Sequence, residues 1–393
     1  MDRRALLTGL GVAAFAASQQ AAANLNRDRL VVIFLRGGAD ALSILPPLQE
    51  SEYYRLRPRL ALPAPGQANG AINLDGQFGL HPQLAPLKPL YDAGILGFIH
   101  ATGLDIDSRS HFEMQRLIEL GGTSGGIQHG WLGRHLQNLN DNPSPLRAVS
   151  LNPGLPKSMR GDPTVAALPV LNIVQGLGGM APGYYDVLEA LQGSASPLGF
   201  PATGASALDL MNALESAQGW NVASNATYPD TEMGNSLKQL AQLIKADMGT
   251  EVAHLDDSTW DTHQRQSTTL PAMLSNLAHS LLAFHNDLGA LMSSTTVIVM
   301  TEFGRRLVEN GDGTAHGSGG CMLAMGAGVN GGQVHGQWPG LAPADLDDGD
   351  LRITTDYRQV LSDYLQLRRG ETSMDSVFPG FQPGQSSGLF QAA

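Results

Sequence analysis

Short apolar runs without alternation recur along the chain, and each is four to six residues long. A strand with one face in water alternates apolar and polar positions, whereas a strand covered on both faces is apolar throughout. The pattern therefore predicts the strands of a sheet that is buried between two layers. These runs are Leu30–Leu35, Ile95–His100, Ala148–Leu151, Val170–Val174, Glu251–Leu255, Thr296–Met300 and Met322–Met325.

Helical periodicity separates several of these runs. The segment from Pro82 to Ala93 has leucines at positions 84, 87 and 90, and Gly94 follows it as a helix stop. Further helices are predicted around residues 237–248 and 273–291, where apolar residues recur at helical spacing. Strands that alternate with helices indicate βαβ units. The predicted fold class is α/β, with a mostly parallel central sheet and helices on both faces.

Glycine and proline are abundant, with 47 and 23 residues, and they predict long loops. One such region is an insertion or cap around residues 175–230, where apolar residues keep recurring as they do in folded segments. The chain from residue 24 to residue 393 is predicted to be a single domain that carries such insertions. Its last residues, from Ser376 onward, predict an extended C-terminal tail.

The first 23 residues have the composition of an export signal. Arg3 and Arg4 precede a weakly apolar run, and alanines at 21–23 offer a small-residue cleavage site. Paired arginines ahead of such a run are typical of the twin-arginine pathway, although an ordinary secretory signal or a membrane anchor would share the apolar run. The prediction is a periplasmic or extracellular protein without a transmembrane segment in its mature chain, since no other run approaches spanning length.

Acidic residues outnumber basic ones, 36 against 24, and the formal net charge is −12. A protein that binds the nucleic-acid backbone shows a basic stripe, and none is present, so no nucleic-acid partner is predicted. The single cysteine, Cys321, excludes an internal disulfide and is predicted to be a small buried hydrophobe.

Polar side chains follow four of the predicted strands. Ligands of open parallel sheets bind outside the carboxyl ends of the strands, so these positions share one edge of the sheet. Their convergence predicts a functional site there. The residues are Asp40 after the first strand, Ser108, Arg109 and Ser110 after the second, Asp261 and His263 after the strand at 251–255, Glu302 and Arg305 after the strand at 296–300, and His316 in the glycine-rich segment that follows.

Aspartate, glutamate and histidine are suitable ligands for divalent cations, and the set predicts one or two ions of zinc, manganese, magnesium or calcium. A serine hydroxyl near such an ion becomes a usable nucleophile. Both Ser108 and Ser110 qualify, and Ser110 is closer to the predicted helix start. Guanidinium groups match tetrahedral oxyanions, so Arg36, Arg109 or Arg305 would clamp an anionic ester substrate.

The same residues also have structural interpretations in which no site forms. A carboxylate after a strand caps the next helix or pairs with a neighbouring arginine, and a serine three residues before a glutamate forms a capping box. A loop histidine lies on the surface or bonds to a nearby carboxylate. These alternatives apply to Asp40 as a cap, Ser110 with Glu113 as a capping box, Asp261 with His263 as a loop pair, Glu302 with Arg305 or Arg306 as an ion pair, and His111 as a surface residue.

Six motifs occur in order behind the paired arginines: RGGADALSILPP, HPQLAPLKPLYDAG, SRSHFEMQ, WDTHQRQ, TEFGRRLVENGDGTAHG and GAGVNGGQVHGQWPGL. Each motif alone is weak, but the ordered set, which runs to about residue 341, is specific. Together they resemble the bacterial family called domain of unknown function 1501. The resemblance implies a twin-arginine exported protein with the α/β core of the alkaline phosphatase and sulfatase superfamily.

The superfamily pattern also implies roles for individual residues. It has a metal carboxylate after the first strand, a nucleophile after the second, an aspartate–histidine pair in one metal site and a further carboxylate in the other. A late histidine completes the first site. The residues of this chain that resemble them are Asp40, Ser108 or Ser110, the pair Asp261 and His263, Glu302, and His316.

Three departures from the pattern concern the metal sites. The spacing of Asp261 and His263 is shorter than is usual in the superfamily, and Phe303 stands where a histidine ligand is common. Ala315 stands where the family commonly has an aspartate, which would bind a metal or orient His316. These departures favour a protein that keeps the fold and has lost catalysis.

Two functions therefore follow from the sequence. The first is an exported metal-dependent hydrolase of phosphate or sulfate esters, in which Asp40 and Glu302 hold one ion, the other three ligands hold a second, and a serine forms a covalent ester that water hydrolyses. The alternative is a catalytically impaired relative that binds a metal, a glycan or a protein. The resemblance implies that such proteins act with another exported protein encoded nearby.

Overall fold

The computed structural model describes residues 28–123, 125–139, 144–162, 165–168 and 222–392. Three predictions therefore lie outside the described residues: the export signal at residues 1–23, the strand at 170–174 and most of the insertion around 175–230. Within the described part of the chain, no helix is both long enough and apolar enough to cross a membrane.

A nine-stranded sheet forms the centre of the described fold. The six predicted strands that fall within the described residues all belong to it. Its strands, in spatial order, are β12 (Val334–His335), β4 (Leu96–Gly103), β11 (Gly320–Gly326), β8 (Thr295–Thr301), β1 (Arg29–Leu35), β7 (Val252–Asp257), β5 (Ala148–Ser150) and β6 (Val165–Ala167), and β13 (Thr355–Asp356) also pairs with β4. Two small antiparallel pairs are separate, β2 (Ile72–Asn73) with β3 (Gly79–Leu80) and β9 (Arg305–Glu309) with β10 (Thr314–His316).

The central sheet is mostly parallel, as predicted. Strand β1 runs parallel to both of its neighbours, β7 and β8, and β5 continues the parallel pairing beyond β7. Strand β11 is the exception, because it is antiparallel to β4 and to β8. The strands on either side of β11 therefore share one direction, and the carboxyl ends of β1, β4, β7 and β8 all lie at the same edge.

Helices cover both faces of the sheet, which confirms the predicted α/β class. The described helices are α1 (Ala41–Ile44), α2 (Ser51–Leu56), α3 (Lys88–Asp92), α4 (His111–Leu120), α5 (Trp131–Asn138), α6 (Glu232–Lys245), α7 (Gln266–Leu288), α8 (Tyr357–Arg369) and α9 (Met374–Val377). Alternate residues of β1 enter opposite cores, with Val31 and Ile33 on one side and Leu30 and Val32 on the other. Helices α6 and α7 contribute to the first core, and α4, α5 and α8 contribute to the second.

The helix predicted from Pro82 to Ala93 is divided in the structure. Residues Pro82–Leu87 form a 3₁₀-helix, and α3 follows directly. Pro86 lies inside the first segment and has no amide hydrogen to donate, so an α-helical hydrogen-bond ladder is interrupted there. The helix predicted at 273–291 begins earlier, at Gln266, and gives way at Gly289 to a short 3₁₀ segment.

Cys321 lies on β11 and packs against the core as a small apolar side chain. Burial raises the pKa of its thiol to about 12, so the thiol stays protonated at neutral pH. The C-terminal tail after α9 is likewise anchored by packing, because Leu389 and Phe390 are buried.

His100 on β4 is buried and uncharged. Its Nδ1 accepts a hydrogen bond from the Ala101 amide (2.9 Å), so Nε2 carries the hydrogen and donates to the Leu45 carbonyl oxygen (3.1 Å). Burial lowers the pKa of His100 to about 4. Both nitrogens of the neutral ring therefore have a hydrogen-bond partner. Protonation would turn Nδ1 into a donor that faces the donating amide of Ala101.

We expect the free energy of unfolding to fall as the pH drops from about 6.5 to about 4. The unfolded chain binds a proton at His100 near its usual pKa, whereas the folded chain resists protonation until about pH 4, so stability is full above this window and is lost through it. The variant His100→Gln should reduce the slope of the unfolding free energy against pH by up to about 1.4 kcal/mol per pH unit. Urea unfolding at several pH values measures the slope, and parallel curves for the variant and the wild type would contradict the prediction.

Candidate metal centre

Imidazole and carboxylate groups meet where β1, β7 and β8 end side by side. His111 is the first residue of α4, the helix that follows β4. Asp261 and His263 lie on the loop after β7, and His316 is the last residue of β10. Glu302 follows β8 directly. The parallel strands thus bring together groups that are far apart in the chain.

One ligand atom each from His111, Asp261 and His316 lies within 4.8 Å of the other two. His316 Nε2 is 3.1 Å from Asp261 Oδ1, and His111 Nε2 is 3.4 Å from Asp261 Oδ2. His263 Nε2 adds a further group, at 2.8 Å from His316 Nε2 and 3.1 Å from Asp261 Oδ1. Two imidazole nitrogens at that distance share either a proton or a cation. These four residues are called the histidine cluster below.

Two histidines of the cluster are fixed through their Nδ1 atoms. His316 Nδ1 is 2.7 Å from the Arg109 carbonyl oxygen, and His111 Nδ1 is 2.7 Å from Glu302 Oε1. Both partners accept hydrogen bonds, so each Nδ1 carries the hydrogen and each Nε2 keeps its lone pair. Metal-binding histidines are oriented in this way. His111 Nε2 is also buried without a hydrogen-bond partner, which fits an atom that binds a metal.

Glu302 is buried, and its carboxylate is already occupied. Oε1 accepts from the Gly37 amide (2.9 Å), from Gln115 Nε2 (2.8 Å) and from His111, and Oε2 accepts from the Thr301 hydroxyl (3.0 Å). Burial alone would raise the pKa of Glu302, but the hydrogen bonds from His111 and Gln115 outweigh it and hold that pKa below its usual range. The structure therefore places Glu302 behind His111, where it orients the ring.

Asp261 carries the negative charge of the histidine cluster. Its side chain is 43% exposed, and Oδ1 accepts a hydrogen bond from Arg305 Nη2 (2.7 Å). Partial burial opposes ionisation, but the Arg305 guanidinium outweighs it and lowers the pKa of Asp261. The hydrogen bond to Glu302 raises the pKa of His111, and partial burial lowers the pKa of His263. One ionised carboxylate with several imidazoles is a donor set that suits zinc and related divalent cations.

The three arginines that were predicted to clamp an anion are each engaged by the protein itself. Their guanidinium groups fasten the loops around the cluster, and each one pairs with at least one carboxylate. The contacts are those of Arg305 with the carbonyl oxygens of Gly37, Gly38, Trp260 and Thr314 and with Asp261, those of Arg36 with Gln115, Glu119 and Asp256, and those of Arg109 with Asp348 and Asp350.

Asp40 lies apart from the histidine cluster, in a buried ion pair with Arg57. Arg57 Nη1 is 2.6 Å from Asp40 Oδ2, Nη2 is 3.1 Å from Oδ1, and both side chains are 0% exposed. Ser43 and Gln266 also donate to Asp40 Oδ2. Burial would raise the pKa of Asp40, but Arg57 outweighs it and lowers that pKa. The structure does not bring this carboxylate to the other predicted ligands. The Asp40 side chain points into the interior and pairs there with Arg57.

The glycine turn after β1 supports the cluster through its backbone. Gly37 and Gly38 have φ angles of +126° and +73°, which side chains disfavour. A Cβ at Gly37 would lie 2.3 Å from the Asp261 amide nitrogen, and a Cβ at Gly38 would lie 2.5 Å from the Phe303 ring. Asp40, which follows this turn, is one of the metal ligands predicted from the sequence. In the structure the turn allows the segments that carry Asp261 and Phe303 to pack against the end of β1.

The two candidate serines differ in their hydrogen bonds. Ser108 Oγ donates to Glu113 Oε2 (2.7 Å), so the glutamate of the predicted capping box is taken by the other serine. Ser110 precedes α4, is exposed, and makes no side-chain cap to the helix. Among the described residues its hydroxyl has no hydrogen-bond partner, and His111 follows it directly. Ser110 is therefore the serine with a free hydroxyl beside the cluster.

Phe303 forms an apolar wall beside the histidine cluster. Its side chain is buried, and its ring centroid is 4.9 Å from those of His111 and His316. The position at which the sequence resemblance led us to expect a histidine ligand is thus occupied by a packed apolar side chain. From the sequence His111 was expected to be a surface residue, yet it brings an imidazole to the cluster. The signal that pointed to it was its place beside Ser110, at the same edge as the other candidates.

A second polar chain, which the sequence analysis missed, lies beside β7. Ser158 Oγ is 3.2 Å from His254 Nδ1, His254 Nε2 is 3.0 Å from Asp256 Oδ1, and Asp256 pairs with Arg36 at 2.8 Å. The groups have the composition of a hydrolytic triad. However, Ser158 and His254 are each only 1% exposed, so no ester reaches the serine. The chain is a buried support for Arg36.

The fold and the histidine cluster define an α/β protein with a candidate metal centre. Within that class, the chain belongs to the family described as Protein of unknown function (DUF1501), whose family model matches residues 101–376. A search of curated proteins gives no match. The structure of the PH0037 protein from Pyrococcus horikoshii aligns over 88% of this chain and 98% of that chain, at 13% identity and a TM-score of 0.36. A likeness at that level carries no functional argument.

Proposed function

We propose that this protein is a metal-dependent hydrolase of phosphate or sulfate esters that uses a single divalent cation. One observation carries the proposal: His111 and His316, each fixed through Nδ1, direct Nε2 toward one carboxylate, that of Asp261. Catalytic zinc sites use three protein ligands and keep one position open, and these three residues supply that set. Of the one or two ions predicted from the sequence we propose one, since the other two predicted carboxylates, Asp40 and Glu302, already accept hydrogen bonds from protein groups.

A bound divalent cation would polarise an ester oxygen and lower the pKa of a hydroxyl held beside it. Ser110 offers its free hydroxyl at the N-terminus of α4, where the helix dipole favours an anionic substrate. Its oxygen attacks phosphorus or sulfur, the alcohol leaves with a proton, and water then releases phosphate or sulfate and restores the serine. In this proposal His263, whose side chain is 46% exposed, carries the proton at Nε2 between the two steps.

A second candidate function is the binding of a metal, a glycan or a protein without catalysis. It is favoured by the state of Arg36, Arg109 and Arg305, which are paired with carboxylates and offer no free guanidinium to an ester anion. The exported partner expected from the family resemblance would then be the protein that is bound. Export through a leader at residues 1–23 is part of both proposals.

Metal content and turnover of the purified protein test the proposal. We expect one zinc or manganese ion per chain and metal-dependent hydrolysis of 4-nitrophenyl phosphate, bis(4-nitrophenyl) phosphate or 4-nitrophenyl sulfate. The variant His316→Ala should lose both the ion and turnover, whereas Ser110→Ala should lose turnover alone. The matched control is His279→Ala, which changes an exposed histidine of α7 and should affect neither.

The possible results separate the two candidate functions. Bound metal without turnover on any of the esters would favour the binding protein. Failure to take up any divalent cation would contradict the metal centre itself, and with it the hydrolase.

A further inference from the structure

A pocket of about 350 Å³ lies between the start of α7 and the segment that follows α2. This volume is within the range of small-molecule sites, roughly 300–1,000 Å³. No residue of the histidine cluster lines it, so it is separate from the candidate metal centre. Its lining comes from residues 59–63 and 81–83, from Ser43 and Asn69, and from the first residues of α7.

Apolar and polar residues contribute about equally to the walls of the pocket. Leu60 and Leu270 are buried there, and Leu62 and Pro271 are partly exposed. Gln266 also contributes to the lining, but its side-chain oxygen and nitrogen are used by other protein groups. An apolar body can therefore pack against the leucines, and the other polar residues of the lining can orient it.

His81 lines the pocket and has a ring N–H that no protein group among the described residues accepts. His81 is only 6% exposed, and its Nδ1 accepts from the Gln83 amide (3.1 Å), so the ring hydrogen is on Nε2. That Nε2–H has no hydrogen-bond partner among the described residues. Burial lowers the pKa of His81 to about 4, so the ring is neutral at physiological pH. This N–H is free to donate, and an oxygen acceptor on a ligand in the pocket would accept its hydrogen bond.

A cation lies at the rim of the same pocket. Arg59 is exposed, and its guanidinium makes no ion pair within the part of the chain that the structure describes. The nearby Glu309 carboxylate accepts instead from the backbone amides of Arg59 and Leu60. Arg59 is therefore placed to meet an anionic group that stays near water, where a charge is not desolvated.

We propose that this pocket binds a small apolar carboxylate that carries a second, neutral carbonyl oxygen, as an N-acyl amino acid does. The carbonyl oxygen accepts from His81 Nε2–H, the apolar side chain packs against Leu60, Leu62 and Leu270, and the carboxylate pairs with Arg59 at the rim. This order puts the neutral oxygen at the imidazole donor and the charge at the exposed cation. The site needs no metal, so its failure would leave the proposed hydrolase untouched.

Calorimetric titration of the full-length protein with N-acetyl-L-leucine tests the site. Two matched compounds each lack one group: N-acetyl-L-leucinamide lacks the charge, and 4-methylpentanoate lacks the amide carbonyl. We expect N-acetyl-L-leucine to bind most tightly of the three. Absence of binding by N-acetyl-L-leucine at millimolar concentration would overturn the proposal.

Two variants assign the contacts. Arg59→Gln changes an exposed side chain. It should weaken the binding of N-acetyl-L-leucine by about two- to fivefold and leave the affinity for N-acetyl-L-leucinamide unchanged. His81→Asn keeps a residue that caps the 3₁₀-helix and removes the Nε2–H donor. It should therefore weaken the binding of both N-acetylated compounds by about five- to tenfold. Equal affinity of all three compounds for the wild type and both variants would show adventitious binding and reject the site.

Discussion

Asp40→Ala will lower the free energy of unfolding by about 3–5 kcal/mol and leave the metal stoichiometry unchanged. The substitution removes the carboxylate that neutralises Arg57, whose side chain is 0% exposed. Arg57 would stay buried with its charge uncompensated, because its remaining contacts are uncharged backbone carbonyl oxygens and a serine hydroxyl. Urea unfolding followed by circular dichroism gives the stability, and elemental analysis gives the metal content.

Two controls separate the ion pair from general damage. Combining Asp40→Ala with Arg57→Met removes both charges and should recover most of the loss, since apolar replacement of a whole buried pair is often close to neutral. Glu52→Ala breaks the pair with Arg55 on the surface and should change the stability very little, because solvent screens exposed charges. Loss of metal from Asp40→Ala at unchanged stability would instead make Asp40 a metal ligand, as the sequence first suggested.

Glu302→Gln will weaken metal binding by about 10–100-fold although every residue of the histidine cluster is still present. A glutamine side chain carries no charge, so His111 would lose the anionic partner that fixes its ring and raises its basicity. Competition with a chromogenic chelator measures the affinity, and thermal unfolding confirms that the variant is folded.

The matched control for this change is Glu119→Gln. Glu119 is buried and pairs with Arg36 at 3.1 Å, but its carboxylate contacts no member of the histidine cluster. The control should lose stability and keep its metal affinity. Unchanged affinity in Glu302→Gln would contradict the orienting role of Glu302, and complete loss of the metal would show that Glu302 is itself a ligand.

The strands could be predicted because burial on both faces leaves a strong signal in the sequence. Residues Leu30–Leu35 are all apolar, and the structure shows their alternate members entering two different cores. The reversed direction of β11 could not be predicted in the same way. An apolar run such as Met322–Met325 gives the same signal whichever way the strand runs, and its direction depends on the connections before and after it.

Positions in the candidate site could be predicted better than orientations. Asp40 and Asp261 both follow a strand of the sheet, yet one side chain turns inward to Arg57 and the other lies among the histidines. His111 likewise depends on Glu302, which is distant in the chain. Partners of this kind become neighbours only when the sheet is assembled, so no local pattern reveals which way each side chain will face.

The turn at Gly37 and Gly38 uses main-chain atoms to hold two side chains that support the candidate metal centre. The Gly37 amide donates to Glu302, and the carbonyl oxygens of both glycines accept from Arg305. Through those two side chains the turn reaches His111 and Asp261. Two residues without functional groups thereby help to fix the geometry of the candidate metal centre, although neither offers it a ligand, and an inventory of reactive side chains alone would leave them out.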